Sequence, residues 1–254
     1  MILRIALIFL TNICAVYLSA QVINIESLRI RTDTTGWFGE VILGGQLKNS
    51  ETKVISANFN SVVEYKGKKS LILLAGNYNF LAGDAKKLTD DFIIHLRYNY
   101  KFNHLIRFEL FTQFQQNEIL MIQERWLNGT GLRFKLADIE NFRAYLGFLG
   151  MFEVEKEAAE PNPGLIRSDW RNSDYFSFTI GMSEHLELIS TTYYQPLFSD
   201  FNDFRILTNN ELNVKAGKRL SLILRYNLLY DSKPVSEVVN TESSLSMAMK
   251  FVFK

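Results

Sequence analysis

Residues 91–102 read Asp-Phe-Ile-Ile-His-Leu-Arg-Tyr-Asn-Tyr-Lys-Phe, with a large apolar residue at every second position. Phe92, Ile94, Leu96, Tyr98, Tyr100 and Phe102 share one parity; Asp91, Ile93, His95, Arg97, Asn99 and Lys101 share the other. Successive side chains on a strand point to opposite faces, so this run makes a long strand with one apolar and one mostly polar side.

The same alternation recurs along the chain. Ile55, Ala57, Phe59, Val63 and Tyr65 oppose Ser56, Asn58, Asn60 and Glu64; Ile106, Phe108, Leu110 and Phe114 oppose Arg107, Glu109, Gln113 and Gln115. Leu220, Leu222, Leu224, Tyr226, Leu228 and Tyr230 oppose Ser221, Arg225, Asn227 and Asp231. About twelve such segments are expected, near 36–47, 53–65, 70–81, 90–102, 105–116, 123–136, 142–155, 173–183, 186–196, 203–216, 219–231 and 240–253. They are longer than the five or six residues usual in soluble strands, and they match what a tilted strand needs to cross a bilayer. After residue 36 no apolar run is long enough for a membrane-spanning helix.

Short connections (66–69, 103–104, 137–141, 184–185, 217–218) alternate with longer ones (81–89, 117–122, 156–172, 197–202, 232–239), as in an outer-membrane barrel. The competing fold is a soluble β-sandwich or lipocalin-like barrel. Strand after strand with an unbroken row of large apolar side chains oversupplies such a core, whereas a closed membrane barrel gives that face to lipid and keeps the polar face for its lumen. The expected fold is therefore an all-β, transmembrane, antiparallel up-and-down barrel of about twelve strands. An even strand count puts both termini at the short-turn, periplasmic end. Two segments are less regular: Asn128 and Thr130 share a face with Trp126, Leu132 and Phe134, and Thr208 and Asn210 share one with Phe204, Ile206, Leu212 and Val214. Either a bulge or contact with a partner protein would account for them.

The N-terminus, MILRIALIFLTNICAVYLSA, has an early Arg4, an apolar core and small residues before Gln21, the plan of a secretory signal peptide cut near Ala20/Gln21. The chain then divides into a signal peptide (1–20), a periplasmic N-terminal segment (21–35) and a barrel (36–254), located in the cell outer membrane. The segment 21–35 could be a tail or a plug entering the barrel. Removing 1–20 removes the only cysteine, Cys14, so neither a disulfide framework nor a zinc ribbon is available. The 28 basic and 27 acidic residues leave no electrostatic footprint for nucleic acid.

Near the C-terminus, Ser246, Ala248, Phe251 and Phe253 resemble the insertion signal of outer-membrane barrels, with Lys254 added after the final aromatic. The resemblance implies the barrel-assembly machinery as a partner, alongside outer-membrane lipids. The stretches Thr32–Trp37, Tyr193–Pro196 and Tyr230–Pro234 resemble the salt-induced outer-membrane protein family, domain of unknown function 481. That resemblance covers nearly all of the mature chain and implies a small outer-membrane barrel, without supplying a reaction or substrate.

The three histidines are the candidates for catalytic chemistry. His104 and His185 fall in short turns, and His95 falls on the lumen face, where parity argues against a lipid-cleaving Ser-His-acid site. No histidine spacing suits zinc, and no glycine-rich phosphate loop is present. The expectation is a barrel without enzyme activity, metal or other cofactor. Its chemical surface is the lumen, for which parity nominates His95, Arg97, Arg107, Glu109, Arg133, Arg143, Arg205, Glu211, Arg225, Asp231 and Glu242, together with Glu64, Asp91, Lys101, Glu153 and Lys250. Paired, these charges fill and lock a narrow barrel, since the arginine fork binds carboxylates bidentately. Unpaired, they line a path for small anions. The first arrangement suits a structural or accessory barrel docking a periplasmic or surface protein; the second suits a narrow diffusion channel. Trp37, Tyr65, Tyr100, Phe102, Phe251 and Phe253 are expected to form an interfacial girdle.

Overall fold

A computed structural model describes residues 29, 34–49, 53–83, 86–235 and 238–253. The signal peptide expected at 1–20, and all of 21–33 except Arg29, lie outside these residues. The described chain is almost wholly strand: β1 Gly36–Asn49, β2 Lys53–Lys66, β3 Ser70–Gly83, β4 Lys86–Lys101, β5 Ile106–Asn117, β6 Ile122–Ile139, β7 Phe142–Glu157, β8 Ile166–Asn172, β9 Asp174–Gly181, β10 Leu186–Leu197, β11 Asp200–Lys215, β12 Leu220–Asp231 and β13 Thr241–Phe253.

Sequential strands pair antiparallel, and β13 returns to β1 to close the sheet. β8 and β9 are two parts of one barrel strand, interrupted at Ser173. β7 pairs with both, through Gly150↔Asn172 on one side of the break and Gly147↔Tyr175 on the other. The barrel therefore has twelve strands.

The chief departure from the sequence reading is the segment 156–172. It is mostly strand: β7 continues to Glu157 and β8 begins at Ile166, leaving 158–165 as the connection. Its prolines and glycine (Pro161, Pro163, Gly164) lie within that connection, while Arg167, Trp170 and Arg171 extend the wall. The turn-forming residues are thus confined to a short connection between two barrel strands.

The irregular outer-face residues are also explained. Trp126 to Phe134 of β6 pair continuously with β7, and the register shifts fall only near the strand ends, at Ile122/Glu124 and Lys135/Ala137. Three of the four polar side chains, Thr130, Thr208 and Asn210, are instead satisfied by other side chains or by the backbone. Thr130 donates to the Glu109 carbonyl at 3.1 Å, Ser190 donates to Asn210 at 2.8 Å, and the Thr192 and Thr208 hydroxyls lie 3.2 Å apart.

The outer face is otherwise apolar and bears two aromatic rows. Near the chain termini, Trp37 packs on Tyr65 (5.0 Å between centroids) and Tyr100 on Phe102 (5.5 Å). Toward the opposite end lie Phe92, Phe114 and Trp126, then Phe152 with Trp170, then Tyr194, Phe204 and Tyr230. Rings at two levels around an apolar band are the pattern of a sheet whose outside meets a bilayer at both interfaces.

Inside, glycines make room for large rings. A Cβ on Gly129 would strike the Phe111 ring, and one on Gly147 would strike Tyr175, so each ring lies flat over a neighbouring strand. These rings join Leu127, Leu149, Met151, Tyr193, Leu207 and Leu229 in an apolar cluster within the barrel. A second cluster, Ile42, Val62, Leu73, Ala75, Ile93 and Ile223, covers the opposite wall.

Candidate functional site: the barrel interior

The alternation on β4, β5, β6 and β9 brings one carboxylate to the middle of the interior with cations around it. Glu109 accepts from Arg97 Nη1 at 3.0 Å, Arg29 Nη2 at 3.0 Å and Tyr175 Oη at 2.8 Å; Asn99 Nδ2 also donates to it, and Arg133 Nη1 stands 3.7 Å away. Arg133 lies over the Tyr145 ring at 3.7 Å and Arg97 over Phe111 at 5.0 Å. His95 stacks on Phe111, places Nδ1 2.9 Å from Gln113 Oε1 and accepts from Arg97 Nε at 3.3 Å. Arg107 stands 6.0 Å from the Tyr145 ring.

A second group occupies the wall formed by β11, β12, β13 and β1. Glu211 accepts from Arg225 Nη2 at 2.8 Å and Lys250 Nζ at 2.9 Å, and Lys250 stands 3.5 Å from Glu40. The two groups share a level of the barrel with very little solvent access: Glu109 and Glu211 are 0% exposed, Arg133 1% and Tyr175 2%.

A cavity opens on each side of this level. Toward the loop end lies a vestibule of about 1260 Å³, its mouth included. Its described lining carries Arg97, Arg125, Arg167, Arg171, Arg205 and Lys233 beside Glu153, Glu155, Glu157, Asp169, Asp203 and Asp231. These groups are extensively paired. Arg205 donates from Nη1 to both Glu153 oxygens at 2.9 Å and from Nε to Asp231 at 2.9 Å, Arg125 Nε donates to Glu155 at 2.5 Å, Arg171 Nη1 donates to Asp203 at 2.8 Å, and Arg167 stands 2.6 Å from Glu157.

The other vestibule, about 1010 Å³ with its mouth, opens at the end that bears the described termini. Among the described residues its lining carries Arg29, Arg143, Lys215, Lys218, Arg219 and Lys250 against Glu40 and Glu187. Arg143 also faces Asp138 across the β6–β7 pair.

Of the residues nominated from sequence, the structure brings His95, Arg97, Glu109 and Arg133 into the central group and Arg205 and Asp231 into the loop-end vestibule. Glu211 and Arg225 lie on the β11–β13 wall. Arg143 lies at the terminal vestibule, Arg107 beside Tyr145, and Glu242 half-buried on β13. Lys101 is exposed at its strand end. Ser246 and Ala248 share the interior parity of β13, while Phe251 and Phe253 are exposed on its outer face.

Sequence reasoning missed Arg29, Glu40, Arg125, Glu155, Glu157, Arg171 and Tyr175. Glu157 and Arg171 lie in the segment 156–172, whose composition reads as a loop, and Glu155 ends the strand before it. Strand parity within the segment expected at 142–155 reaches Glu155, and carried past its end it would have found Glu157. No periodic signal marks Arg29, which precedes every described strand.

A family model described as a protein of unknown function, DUF481, matches residues 41–253. The chain belongs to the DUF481 family. The match brings no activity with it, and its description does not include the salt-induced label suggested by the loop motifs. No curated protein matches the sequence. Among solved structures this DUF481 barrel resembles the NanC porin, at 10% identity and a TM-score of 0.53 over 84% of this chain and 98% of that one. It also resembles an outer-membrane channel from Pseudomonas putida F1, at 9% identity and a TM-score of 0.52 over 87% and 96%. At these identities the likeness concerns the fold.

Proposed function

We propose that this chain is an outer-membrane barrel held shut by its own side chains, serving the envelope as a structural or accessory component without enzyme activity. The carrying observation is the buried level between the two vestibules, where Glu109, Arg133, Tyr175 and Glu211 are at most 2% exposed. A water-filled pore needs solvent-accessible side chains at every height. The apolar outer face, its two aromatic rows and the signal-like residues 1–20 support the outer-membrane location, with the terminus-bearing end toward the periplasm. Ser246, Ala248, Phe251 and Phe253 act as the assembly signal in this reading, and lipid and the assembly machinery are its partners.

The test is conductance of refolded residues 21–254 in a planar bilayer. A protein that inserts and stays silent supports the reading; stable conductance steps overturn it. They would favour a narrow diffusion channel for small anions, the reading that the opposed vestibules and the cationic inner one support. In that case Arg97→Ala and Arg225→Ala would weaken anion preference.

A further inference from the structure

The seam that closes the barrel is unlike the rest of its wall. Gly39 to Leu43 of β1 meet Phe253 to Met249 of β13, and there the pairing stops. Both strands continue, β1 to Asn49 and β13 back to Thr241, and both remain paired on their other sides as far as Asn49↔Lys53 and Tyr230↔Thr241. All of these residues are described, so the loop-end half of the seam presents two strand edges without pairing between them. Extending the register would set Gly45 opposite Met247.

Such edges are costly in a membrane, where no water satisfies open backbone groups, and closed barrels ordinarily abolish them. Two further observations coincide with the gap. Met247 is 70% exposed, against 48% for Leu245 and 47% for Met249 on the same face of the same strand. Small side chains also gather behind the gap: Ser244, Ser246 and Ala248 on β13 and Gly44 on β1. The Asn58 amide lies where a Cβ on Gly44 would project, Asn227 donates to Ser244 at 3.3 Å, and Arg225, cross-strand from Ser246, is already engaged by Glu211, while Glu242 is half-buried on the same face.

We propose that the β1–β13 seam is a lateral opening that seats an amphiphile. Its acyl chains lie along Leu43, Leu245 and Met247 on the outside, and a headgroup without net charge hydrogen-bonds to Ser244, Ser246 and the open strand edges. The route bypasses the buried central level, so the barrel is shut end to end and open to the side. Conductance would overturn the shut-lumen reading and leave this one standing.

The experiment uses paired cysteines in the full chain, whose only native cysteine is Cys14. In outer membranes under a mild oxidant, Val41→Cys with Phe251→Cys, a pair within the closed half, is expected to cross-link at least about tenfold faster than Gly45→Cys with Met247→Cys. Equal rates would overturn the opening. For the occupant, a photoactivatable benzophenone residue is placed at Ser246, or at Asn209 on β11, in vesicles containing biotinylated phosphatidylcholine. Lipid adducts are expected at Ser246 and at most a fifth as many at Asn209. Equal labelling, or none at Ser246, would overturn the amphiphile.

Discussion

The two vestibules are built on the same strands and separated by one layer of side chains, yet they treat charge in opposite ways. At the loop end cations and carboxylates are equal in number among the described residues and interlock, with Arg205 joining Glu153 to Asp231 across the barrel. At the terminal end cations outnumber carboxylates, and Lys215, Lys218 and Arg219 belong to one exposed turn and its flanks. The difference follows from location. Charges deep between strands must be matched, because an unmatched buried ion costs several kcal/mol. Charges at a wet rim carry no such requirement and can set a local potential. Charge at the loop end is therefore mostly structural, whereas Lys215, Lys218 and Arg219 at the terminal rim are exposed to solutes.

The sharpest way to break this contrast is to remove the layer that divides it. Glu109→Gln leaves Arg29, Arg97 and Arg133 around a neutral amide and is expected to destabilise the barrel by about 3–5 kcal/mol. The readout is the urea unfolding midpoint of protein folded into lipid vesicles. Gly147→Ala drives a methyl group against the Tyr175 ring and should cost about 1–3 kcal/mol in the same assay.

The potentials can be compared directly. Gly217→Cys projects into open space at the terminal vestibule, and Val239 lines the other mouth at 68% exposure. An anionic thiol reagent should modify Gly217→Cys about tenfold faster than a cationic one at low ionic strength, with the ratio near one at Val239→Cys. Salt should erase the preference, because exposed charges are screened within about 10 Å at 0.1 M. Equal ratios at both sites would dissolve the contrast.

Tyr175→Phe keeps the ring over Gly147 but deletes the hydroxyl's hydrogen bond to Glu109 and the longer one it accepts from Arg133, for about 1.5–3 kcal/mol. Lys233→Ala removes an exposed partner of Asp200 and should leave the unfolding midpoint unchanged, as isolated surface pairs commonly do.

Much of this was visible in the order of residues. Period-two alternation placed His95, Arg97, Glu109, Glu211 and Arg225 on a polar face, because parity is a local property of each strand. Which of them meet is a different matter: it depends on register and on the diameter of a closed sheet, which bring Tyr175 to Glu109 from 66 residues away and Arg205 to Glu153 from 52. No single strand encodes either distance. The interior glycines were equally opaque. Gly129 and Gly147 interrupt a lumen pattern as if they were gaps, whereas each is the seat of a ring carried by a neighbouring strand.

Arg29 precedes every described strand, yet its guanidinium completes a group whose other members come from β4, β5, β6 and β9. No subset of strands can finish that group by folding in place. Its completion is therefore an event in time as well as a contact. A barrel whose strands have all joined while Arg29 stands outside would be an assembly intermediate, distinct from the final form in resistance to heat or protease.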